Sequence, residues 1–294
     1  MDLEYGIPQD KGATHLQFGL QKGFFRDEGI NLSFRIVFGG PEIAACYDSG
    51  ELKIGEMGTP PATTALAKGA RFKIVASGVR RRALQYLVAR PNVERWDDLR
   101  GGAIGVLSKG SCSYWFARLV LDSNGLDPDR DVRIVGLGSR HPEVVDLLGS
   151  GELQGAVISE PAVSIGEYSG SLKLLKALND PEYSPMMQWS VVVANETVLR
   201  QEANLVSAVL RACKRSYHYA AANEDEFIDF GVRQYDVDRA TFAKSIGRER
   251  DNLHYDCQID EAGLAIAIDL QRRLGAFQND LGVSDVTDLR FVPQ

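Results

Sequence analysis

Apolar and polar positions alternate with two different periods along this chain, and the periods take turns. "LEYGI" has the period of a strand, and "ATHLQFGLQKG" that of a helix ending at Gly23, with "FFRDEGI" as the turn beyond it. "LSFRIVF" reads as the next strand, and Gly39-Gly40-Pro41 opens the helix "EIAACYDSG". "LKIGEM" predicts a short strand, Gly58-Thr59 a turn, "PPATTALAKG" a helix with proline in its first turn, and "FKIVASG" a closing strand. A second series follows the run Arg80-Arg81-Arg82. Its strands are "ALQYLVAR", "AIGVL", "DVRIVGLG" and "LQGAVIS"; its helices are "NVERWDDLRGG", the segment after Ser108–Cys112, "HPEVVDLLGSG" and "EPAVSIGEY". "WSVVVAN" reads as a strand returning toward the first series, and from Glu196 onward helical periodicity dominates.

This alternation predicts an α/β protein with sheets covered by helices. One device recurs within it. A strand ends in small residues and a helix begins there, at Pro8–Ala13, Gly39-Gly40, Gly58-Thr59, Ser108–Cys112 and Ser139-Arg140-His141. In open α/β sheets such corners line the crevice at the carboxyl ends of the strands, where ligands sit. Free backbone N–H groups and the positive end of the helix dipole suit a negative group there.

Composition narrows the function classes. With 294 residues the chain is longer than one ordinary domain, so two lobes or one large α/β unit is expected. A net charge of -7 without a basic face argues against nucleic-acid binding. Cys46, Cys112, Cys213 and Cys257 are scattered without metal-ligand spacing, and no apolar run approaches the ~20 residues of a membrane span. No phosphate loop, dinucleotide fingerprint, serine elbow or HExxH is present, and no cofactor or metal is expected. The chain starts "MDLEYGIPQDKG" with no basic-then-apolar leader. Two locations fit: cytoplasmic if Met1 is the native start, periplasmic or lipid-anchored if a leader has been removed.

The stretches "GLQKGFFRDEGINLSF", "GELKIGEMGTPPATTALAKGARFKIVASG", "WDDLRGGAIGVLSKGSCSYWFARLVLDSNGLDPDRDVRIVGLG" and "LGSGELQGAVISEPA" resemble the periplasmic solute-binding proteins of nitrate, sulfonate and taurine uptake. These are related to thiamine-pyrimidine binding and synthesis proteins. The resemblance implies a two-lobed periplasmic-binding-protein-like fold (type II) with two chain crossovers, in which ligand is trapped as the lobes close. Mapped here, lobe one is 1–80 plus 195–294, lobe two is 83–188, and hinge segments lie near 78–84 and 185–192, with the tail packing mainly on lobe one. It also implies a small organic anion as ligand (a sulfonate, carboxylate or heteroaromatic acid), with an ABC permease and its ATPase as partners. The same fold carries a hydroxybiphenyl sulfinate desulfinase and aromatic decarboxylases, so a cytoplasmic lyase or hydrolase acting on an aromatic acid is the alternative.

The residues expected around the ligand are Gln9, His15, Gly40, Thr59, Arg81, Ser108, Lys109, Ser111, Cys112, Glu160 and Trp189. Cys112 has two readings: a small residue filling a helix corner, or a thiol nucleophile activated by the helix dipole and Lys109. The desulfinase's cysteine belongs to the first corner, where this chain has "GIPQDKGATH" and none. His141 reads as a polar turn residue or a general base, and Glu160 as a helix-dipole acid or a hydrogen-bond acceptor for the ligand. In the enzyme alternative Cys112, His141 and Glu160 are the catalytic candidates. One arginine of Arg80, Arg81 and Arg82 is expected to meet a ligand acid group, because alternation turns at most one or two of them toward the cleft. Trp189 and Tyr114 are placed to stack on a flat ligand, or else to sit in the core.

Overall fold

Val191, Val192 and Val193 are consecutive and all buried, a pattern that suits the interior of a sheet covered on both faces. In the computed structural model, which describes residues 1–9, 14–180 and 187–294, that is where they lie. The first sheet contains β1 (Asp2–Ile7), β2 (Asn31–Ile36), β3 (Ile54–Gly58), β4 (Phe72–Ser77) and, from far along the chain, the valine strand Ser190–Asn195. The second contains β5 (Tyr86–Ala89), β6 (Ala103–Val106), β7 (Arg133–Gly136), β8 (Gly155–Ile158) and β9 (Lys173–Ala177). With the valine strand as β10, the orders are β2-β1-β3-β10-β4 and β7-β6-β8-β5-β9. Each sheet therefore has a parallel part and an antiparallel edge. β10 runs antiparallel to both β3 and β4, and β5 antiparallel to both β8 and β9. The architecture is the two-lobed α/β fold expected.

Both faces of the first sheet are covered. Helices Thr14–Gln21 and Ala203–Ala222 pack with Tyr5, Val75 and Val192 on one side. Helices Gly40–Ser49, Thr59–Ala67 and Glu261–Arg273 enclose Ile74, Val191 and Val193 on the other. The chain leaves this sheet after Ser77 and returns at Ser190, and the two crossing segments are bonded to each other. Trp189 N donates to Arg81 O at 3.0 Å, Ser190 N to Arg80 O at 3.0 Å, and Gly78 N to Ser190 O at 3.0 Å. Of the segment expected near 185–192, residues 185 and 186 lie outside the described residues, as do 10–13 of the first corner.

Three details differ from the sequence expectation. Phe24–Asp27 is a short helix rather than a plain turn, because Phe24 and Phe25 must both be buried and helical spacing achieves it. β9 has no counterpart among the predicted strands. It is a half-buried edge whose "KLLKA" gives little alternation to read. The tail, expected mainly on lobe one, also reaches across: helix Arg239–Glu249 packs against helix Ala162–Tyr168 of the second lobe.

Candidate ligand site

Three helices begin where the lobes face each other: Gly40–Ser49, Thr59–Ala67 and Cys112–Ser123. Between their first turns lies a cavity of about 80 Å³. Gly40, Gly58 and Pro61 line it from the first lobe, and Ser111, Cys112 and Ser113 from the second. The sequence builds these corners from small residues because larger ones would collide. A Cβ on Gly40 would lie 2.5 Å from Pro61 Cγ, and one on Gly58 would lie 2.3 Å from Cys112 Sγ.

The serines organise the corner after β6. Ser111 Oγ caps its helix by accepting from Tyr114 N at 3.3 Å and donates to Ser108 O at 2.7 Å; Ser113 Oγ accepts from Leu107 N at 2.9 Å. The side chains thus hold the loop, and the first-turn N–H groups of Cys112 and Ser113 stay outside the intrahelical ladder. With the positive ends of three helix dipoles around one small space, the cavity is suited to negative charge.

Two charged side chains complete the lining, Arg80 from the crossing segment and Glu56 from the middle of β3. Both are buried. Arg80 Nη2 donates to Glu249 Oε2 at 3.1 Å. Burial pushes the Glu56 carboxyl up to about 7, against the opposing pull of Arg80 and a hydrogen bond from Ser190.

The lobes meet around this cavity through polar contacts. Gln9 Nε2 donates to Ser159 Oγ at 3.2 Å, and Ser108 Oγ to Glu42 Oε2 at 3.2 Å. Farther out, Arg248 of the tail pairs with Glu160 and, at 2.8 Å, with Glu167, both in the second lobe.

Of the residues expected at the site, Gln9, Gly40, Ser111, Cys112 and Trp189 line the cavity. The others stand elsewhere. Thr59 Oγ1 donates to Trp189 O at 3.0 Å, and Ser108 holds Glu42 across the lobe gap. Lys109 is exposed. His15 is buried against Phe227, 4.6 Å between ring centroids. His141 is buried in the 3-10 turn Gly138–Glu143, away from the cavity lining. Glu160 accepts from Ser164 N and Oγ, each at 3.0 Å, besides Arg248, so its carboxylate serves the second lobe's own helix and the tail. Arg81, expected toward the ligand, turns away to Asp256 at 2.9 Å, and Arg82 to Asp260 at 2.8 Å; Arg80 is the arginine that reaches the cavity. Trp189 rests on Phe116, 5.1 Å between centroids, which makes it both core and wall.

Cys112 lines the cavity with its sulfur packed against Gly58, and burial pushes its thiol up to about 12. The dipole is outweighed by desolvation, so at neutral pH this is a thiol and not a thiolate. Glu56, Gln85 and Ser190 line the cavity without having been singled out from the sequence. Glu56 had a readable signal, one carboxylate inside the otherwise apolar "IGEMG" of a buried strand.

This geometry can be set against known proteins. The family described as NMT1/THI5 like matches residues 13–227. The Bacillus subtilis binding protein YtlA is 21% identical over 239 residues, 80% of this chain and 71% of that protein. The taurine-binding periplasmic protein of Escherichia coli is 25% identical over 179 residues, 61% of this chain and 52% of that protein. Among solved structures, the alkanesulfonate-binding protein SsuA of Xanthomonas axonopodis pv. citri bound to MOPS superposes with a TM-score of 0.78 at 15% identity, covering 98% of each chain. That likeness concerns the fold. Taken with the two-sheet topology and the cleft at the helix starts, the match over residues 13–227 places this chain in the NMT1/THI5-like family.

Proposed function

We propose that this protein captures a small organic anion between its lobes and delivers it to an ABC permease and its ATPase on the outer side of the cytoplasmic membrane. The observation that carries the reading is the convergence of three helix N-termini on one buried cavity that also holds Arg80. Relatives named for taurine and alkanesulfonate binding support a sulfonate or carboxylate as the acid group. The lobes are 1–80 with 195–294, and 83–188. They hinge near 78–84 and 185–192, where the paired crossing segments are the narrowest covalent link. Trapping by hinge closure follows from such a layout.

A thiol enzyme on this scaffold is disfavoured by the neutral Cys112 and by Glu160 being held by Ser164 and Arg248. The test is calorimetric titration with taurine, ethanesulfonate and benzoate at pH 6, with small-angle scattering of the same mixtures. Saturable binding with a smaller radius of gyration is the expected result. Absence of binding by all three acids would sink the reading.

A further inference from the structure

Glu56 is an unusual wall for an anion site. It is 6% exposed, it lines the cavity, and its Oε1 lies where a Cβ on Gly78 would come within 2.5 Å. The titratable groups facing it come from every surrounding element: Tyr5 of β1, Tyr47 of helix Gly40–Ser49, Cys213 and Tyr217 of helix Ala203–Ala222, Cys257, and Arg80 of the crossing segment. Burial raises all five phenols and thiols, so they stay neutral and Arg80 alone among these supplies positive charge.

That arginine is shared. Arg80 also pairs with Glu249, and the neighbouring Arg248 and Lys244 answer Glu160 and Glu167. With every group ionised, three cations face four carboxylates here, Glu56 being the fourth. An incoming anion would add a second surplus negative charge in a buried space, where like charges repel most strongly.

We infer that Glu56 is the specificity-determining residue of the cavity, binding an anion only in its protonated form, so that an anion captured while Glu56 is ionised brings one proton with it. The protonated carboxyl then donates a hydrogen bond where the carboxylate would repel. The inference rests on the proposed capture of an anion and names the proton that accompanies it. It is supported by the raised pKa of Glu56, about 7, which leaves the proton available near neutrality.

The experiment is calorimetric titration of ethanesulfonate and benzoate into the intact protein across pH 6 to 9, in buffers of different ionisation enthalpy. Affinity should be level below about pH 7, with little proton uptake, and fall about tenfold per unit well above it, where uptake approaches one proton per anion. Glu56→Gln, which keeps the shape of the protonated acid, should bind as tightly at high pH as the parent does at pH 6. Binding that is saturable but independent of pH and of buffer overturns this inference and leaves the proposed function standing. Failure of both acids to bind even at pH 6 overturns both. Burial also raises the carboxyl of Glu249, which shares Arg80 with Glu56, so Glu249→Gln is titrated in the same way: uptake that persists there assigns the proton to Glu56 even if Glu56→Gln does not fold, and uptake that vanishes overturns the inference.

Discussion

Cys112 shows how far one side chain's surroundings can reverse its chemistry. A helix N-terminus lowers a thiol's pKa, but enclosure against Gly58 raises it further, to about 12. Iodoacetamide should therefore label Cys112 slowly, at a rate that still climbs about tenfold between pH 7 and 8 because the thiolate fraction is far from saturated, and Cys112→Ser should bind ligand nearly as the parent does. Fast labelling with a midpoint below about 8 would contradict this reading. His15 gives a second test at the same scale. Burial first, and Arg80 second, lower its imidazole from 6.5 to about 3, so the folded protein keeps it neutral while the unfolded chain takes up a proton. Stability from this group is fully present above pH 6.5 and is lost progressively as pH falls toward 3. Thermal melts over that range should show the loss, and His15→Phe should flatten it.

At the scale of elements, the cavity is made where helix starts approach across the lobes. Gly58 ends β3 and caps the next helix, and its missing side chain admits the Cys112 sulfur. Gly58→Ala should obstruct closure and weaken ligand binding at least about tenfold, roughly the effect of a minor steric overlap of one to three kcal/mol. Gly58→Ala with Cys112→Gly should recover most of it. Trp189 works between elements too: Thr59 N and Oγ1 both donate to its carbonyl, and its ring packs on Phe116. Trp189→Ala should cost about 3–5 kcal/mol of stability, measured by urea unfolding, because it empties a buried site where both lobes meet.

For the whole molecule, the tail is more than a cover for the first sheet. Helix Arg239–Glu249 carries Glu249 to Arg80 and Arg248 to Glu160 and Glu167, joining the crossing segment to the second lobe. Arg248→Ala should loosen the closed arrangement, seen as a larger radius of gyration without ligand and a smaller change when ligand is added. It leaves Glu160 buried with Ser164 as its remaining partner, and breaking a buried pair this way costs about 3–5 kcal/mol.

The periodicity of the chain by itself determined the α/β class, the order of most elements and the return of "WSVVVAN" to the first sheet, because one-faced periods and the unbroken apolar run of a strand covered on both faces are local features of the sequence. It also marked the corners, since small residues at strand ends can be read directly. Which polar side chains enter the cavity was decided only in three dimensions. Arg80, Arg81 and Arg82 are adjacent and chemically alike, and what separates them is the placement of Glu249, Asp256 and Asp260, about 170 residues away by their numbering. Glu160 and Ser108 were drawn off in the same way, by Arg248 and Glu42. Glu56 became a wall of the site because β3, β10 and the crossing segment close over it, and desolvation, the force that sets its proton, exists only once they have done so.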